Sequence, residues 1–98
     1  MLVKIHDTYR YVVAICDSKL IGKVFEEGKF QLDVKESFFK GDEISKEKVI
    51  KTMRDMATED ATFNIIGEES IQTALEAGLI SEEGIKKIDG VPFALVLL

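Results

Sequence analysis

The segment Thr62-Phe-Asn-Ile-Ile-Gly67-Glu-Glu-Ser-Ile-Gln-Thr-Ala-Leu-Glu-Ala-Gly78, running on to Asp89-Gly-Val-Pro92-Phe-Ala-Leu-Val-Leu-Leu98, constrains this chain more than any other part of it. It reads as a strand, a glycine turn, a helix, a short second helix and a last strand. The helix over 68–77 buries Ile71, Ala74 and Leu75, and Gly78 takes its C′ position. Ser81 is placed to cap the second, shorter helix, whose apolar residues are Ile85 and Ile88. Val91–Leu98 is apolar almost throughout, so it belongs inside a sheet or under a partner. Pro92 lacks an N–H and belongs at the strand's start or on an unpaired side. The connection from 62–66 to 91–98 is long enough for a parallel pair, right-handed if the two strands are neighbours.

The N-terminal half reads differently. Leu2, Val3 and Ile5 open a strand, and Tyr9-Arg10 turns out of it. Tyr11-Val-Val-Ala-Ile15 is a continuous apolar run, the pattern of a central strand covered on both faces. Lys23–Phe25 and Phe30–Val34 flank Glu26-Glu27-Gly28-Lys29 and predict a hairpin. Phe38 and Phe39 anchor a loop, and Ser45 is the expected N-cap of a helix over 46–57 with Val49, Ile50, Met53, Met56 and Ala57 on one face at helical spacing. The order β-β-β-β-α-β-α-α-β is that of an α+β domain over 1–98: antiparallel N-terminal strands, a helix, then a C-terminal β-α-α-β unit.

Composition narrows the function. Residues 1–40 carry 7 Lys/Arg and 6 Asp/Glu, a net of +1, while residues 41–98 carry 6 and 12, a net of −6. An acidic C-terminal part repels nucleic acid, so RNA contact would have to come from a local patch in the N-terminal part. One cysteine and one histidine cannot build a Cys/His zinc site, and no metal or cofactor is implied. No apolar run reaches the roughly 18 residues of a membrane span, and no signal peptide is visible, so a soluble cytoplasmic protein is expected. Abundant Lys and Glu beside only three side-chain amides (Gln31, Asn64, Gln72) lean towards a thermophile.

The candidate sites are few. A glycine between a buried strand and a helix is where α/β folds hold anions. At Gly67 the next residues are Glu68 and Glu69, which complement the helix dipole themselves and argue against a phosphate cradle. Asn64 faces inward in an apolar strand, where pinning a neighbouring loop is its expected job. Cys16-Asp17 ends a buried strand; a nucleophilic thiolate would need His6 beside it, and nothing in the sequence puts it there. The adjacent pairs Glu26-Glu27, Glu68-Glu69 and Glu82-Glu83 read as solvated faces rather than acid/base dyads. Lys19, Lys23, Lys29, Phe38, Phe39 and Lys40 supply the basic and aromatic interleaving that holds single-stranded RNA.

Ile15-Cys-Asp-Ser-Lys-Leu-Ile-Gly-Lys23, Phe25–Val34, Asn64-Ile-Ile-Gly67, Ala77-Gly-Leu-Ile80 and Gly90-Val-Pro-Phe-Ala94 occur in an order and spacing that resemble the archaeal family called domain of unknown function 424. Phe93 departs from the pattern, which has a more polar residue there, often histidine. The resemblance implies an archaeal source and a loose association with translation and ribosome assembly, with no catalytic residue to carry over. The expectation is a non-enzymatic binding or assembly module, with the ribosome, RNA or a protein as partner and a homodimer through Val91–Leu98 as an option. The alternative is a small enzyme or ligand binder with a cleft near Cys16, Asn64 and Gly67.

Overall fold

The computed structural model describes residues 1–98. Its strands are β1 (Leu2–Asp7), β2 (Tyr11–Cys16), β3 (Val24–Glu27), β4 (Phe30–Asp33), β5 (Asp42–Glu43), β6 (Thr62–Ile66), β7 (Lys86–Ile88) and β8 (Val91–Leu97). The helices are the single turn α1 (Glu36–Phe39), α2 (Lys46–Thr58) and α3 (Glu68–Glu76). Six strands form one sheet in the order β5-β1-β2-β6-β8-β7, and β3-β4 is a separate hairpin. The α+β class read from the sequence is the one observed.

β2 is central for the expected reason. Val13 and Ile15 point to one face and Ala14 and Cys16 to the other, and all four are fully buried. On the first face lie α2 and α3. Val49 and Met53 of α2 and Ile71 and Ala74 of α3 close over Val3, Val13, Ile15, Phe63 and Ile65. Ser45 caps α2, its Oγ accepting from the Lys48 N–H at 3.4 Å. On the second face, residues 18–39 fold over one end of the sheet. Leu20, Val34 and Phe39 bury Leu2, Ala14, Cys16 and Ile66, with Phe25, Leu32 and Phe93 packed around them.

Two parts of the C-terminal reading change. The second helix is only a 3-10 turn at Glu82–Gly84, and Ile88 lies in β7 instead. β6 and β8 are neighbours but antiparallel; the parallel pair of the sheet is β2–β6. The cause is the turn at Asp89-Gly90. Both residues have positive φ, 52° and 77°, the signature of a two-residue hairpin that folds the chain back at once. The parallel crossover from β6 through α3 therefore lands on β7, and β8 returns into the gap between them. β8 is interior only in part. β7 covers Val91–Phe93, and from Ala94 onward only β6 pairs with it. No helix is long and apolar enough to cross a membrane.

Candidate functional site

β2 and β6 run parallel and end side by side at Cys16 and Ile66. This is where open α/β sheets place ligands. Beyond the strand ends the chain passes through Asp17 on one side and through Gly67 into α3 on the other. The first N–H groups of α3 have no partner within the helix. They are answered from inside the protein. The Asp17 carboxylate accepts from the Glu69 N–H at 3.1 Å, the Ser70 N–H at 2.8 Å and the Ser70 hydroxyl at 2.7 Å. Asp17 is 4% exposed and Ser70 is fully buried. An anion's place at this helix start is thus filled by a side chain 50 residues and more away in sequence. Glu68 and Glu69 had been expected to complement the dipole alone.

Gly67 is required by the same arrangement. Its φ is 112°, and a Cβ added there would lie 2.3 Å from the Asp17 Cγ. Its N–H donates to the Pro92 carbonyl at 2.9 Å, tying the strand end to β8. A cleft of about 180 Å³ opens beside it, lined by Lys19, Leu20, Gly90 and Pro92 among others.

Cys16 and Asn64 do not line that cleft. The Cys16 thiol is sealed in the second-face core, where burial first and the Asp17 charge second push its pKa from 9.0 to about 11. His6 is no partner for it. His6 lies opposite Val12, four residues along β2 from Cys16, about 13 Å at the usual strand rise. Its ring stacks on Phe38 at 4.6 Å, and its Nε2 lies 2.9 Å from the Phe38 carbonyl. Asn64 faces the second side of the sheet between Ala14 and Leu95, half-buried, and pins no loop. A strand's alternation fixes the face of a side chain but not whether a layer covers it.

The basic residues are exposed, while the aromatic ones are partly or fully covered. Lys19, Lys23, Lys29 and Lys40 are exposed along the connections between β2 and β5, Lys19 in a single 3-10 turn and Lys29 at the tip of the β3–β4 hairpin. Phe39 is buried, and Phe38 is held between His6 and an edge-on contact to Phe39 at 5.1 Å. Phe39 is closed to a base, and one face of the half-buried Phe38 is taken by His6. Glu43 is a constellation that sequence reading missed. It accepts from the Met1 ammonium at 2.6 Å and from the Ser18 hydroxyl, and these bonds lower its pKa below 4.5, the ammonium contact being the larger cause. No local pattern joins residues this far apart; only the β1–β5 pairing does.

The comparisons with known proteins agree with this fold. The chain is similar to a solved structure of an uncharacterized conserved protein from Methanopyrus kandleri: 28% identity, 97% of this chain and 88% of that chain covered, TM-score 0.87. No curated protein matches it. Phe93, the departure from the family pattern, packs with Ile66 and Phe25 in the second-face core, a place that suits an aromatic ring. The family model for proteins of unknown function DUF424 matches residues 6–98, nearly the whole length, and this chain therefore belongs to the DUF424 family.

Proposed function

We propose that this protein is a non-enzymatic binding and assembly module of the cytoplasm that serves translation through the ribosome, RNA or a protein partner. One observation carries the binding part. The layer formed by residues 18–39 stops partway across the second face of the sheet. Beyond it Thr62 and Asn64 of β6 stand half-buried beside Leu95 and Leu97 of β8, which are 58% and 73% exposed. Leucines ringed by an amide and a hydroxyl on a rigid sheet make an interface rather than a reaction site. The residues that could react are engaged in structure: Asp17 caps α3, Cys16 packs in the core and His6 stacks on Phe38.

The link to translation rests on the association that the family resemblance implies. RNA contact would use the charges of Lys19, Lys23, Lys29 and Lys40 with Phe38, without stacking on the buried Phe39. The test is co-sedimentation of the native protein with ribosomal particles at low and high salt. Migration with a subunit that persists in part at high salt supports the reading. A protein that stays at the top of the gradient under both conditions refutes it.

The alternative, a small ligand held near Gly67, is favoured by the cleft at the ends of the parallel pair. A metabolite that raises Tm of the wild type but not of Lys19→Ala would support it, and a flat panel would remove it. A homodimer through Val91–Leu98 is compatible with either reading.

A further inference from the structure

No further inference is drawn: the strongest candidate, the open patch on the second face of the sheet where Thr62 and Asn64 of β6 lie beside Leu95 and Leu97 of β8, already carries the binding reading above, and nothing in the structure shows what covers it.

Discussion

Removing the Asp17 carboxylate should be among the most damaging single changes in this protein. Asp17→Ala takes away the acceptor for Glu69 N–H, Ser70 N–H and Ser70 hydroxyl together. Loss of a helix cap costs about 1 kcal/mol. The Ser70 hydroxyl is fully buried and would be stranded, adding roughly 1–3 kcal/mol. The sum is about 3 kcal/mol, which lowers Tm by roughly 12–24 °C in a domain of this size. Urea unfolding followed by circular dichroism reads it as a lower midpoint at constant slope. A double-mutant cycle sharpens the test. Gly67→Ala alone brings a Cβ to 2.3 Å from the Asp17 Cγ and also strains a φ of 112°. In the Asp17→Ala background only the backbone strain is left, so the second substitution should cost at least 1 kcal/mol less there than in wild type. If Asp17→Ala costs under about 0.5 kcal/mol, or if the two effects simply add, the interlocked cap is wrong.

Three further outcomes follow from the same structure. The Cys16 pKa is raised from 9.0 to about 11, so the folded protein holds a proton there that the unfolded chain has released; stability is full below pH 9 and falls as pH rises towards 11. The loss is about 2–3 kcal/mol, and Cys16→Ala should lack that part of the decline in urea midpoints measured across this range. Glu43 behaves in the opposite sense: its pKa is lowered, so its contribution is present above pH 4.5 and disappears as pH falls, and the wild-type and Glu43→Gln Tm curves should converge in acid. Asn64→Ala should change stability by less than about 0.5 kcal/mol, because a half-exposed amide leaves nothing stranded; a loss above about 1 kcal/mol in urea would mean that Asn64 holds a buried partner after all.

Local chemistry was legible wherever one segment contains its own cause. The β3–β4 hairpin, the Ser45 cap, the α2 stripe at Val49 and Met53 and the two-sided burial of β2 each need only a few consecutive residues. Asp89-Gly90 was legible too, as a two-residue hairpin between Ile88 and Val91, and reading Ile85 and Ile88 as helical spacing hid it. That misreading left room for a parallel pair of 62–66 and 91–98 that the hairpin excludes. Three or four apolar residues with intervening polar ones satisfy a helix period or a short edge strand equally well, and only the turn decides between them.

What the sequence determined by itself is the set of elements and the apolar side of each, because propensity, capping and periodicity act within a dozen residues. The tertiary structure alone decided which of those faces is covered. Asp17 reaches the start of α3 only because β2 and β6 end together, and Glu43 finds the Met1 ammonium only because β5 pairs with β1. Asn64, Leu95 and Leu97 stay open because the layer over the second face ends at α1 and the hairpin, short of them. Such contacts join residues far apart in the chain. Their energies depend on distances that no local pattern encodes, and so which faces stay open became visible only in three dimensions.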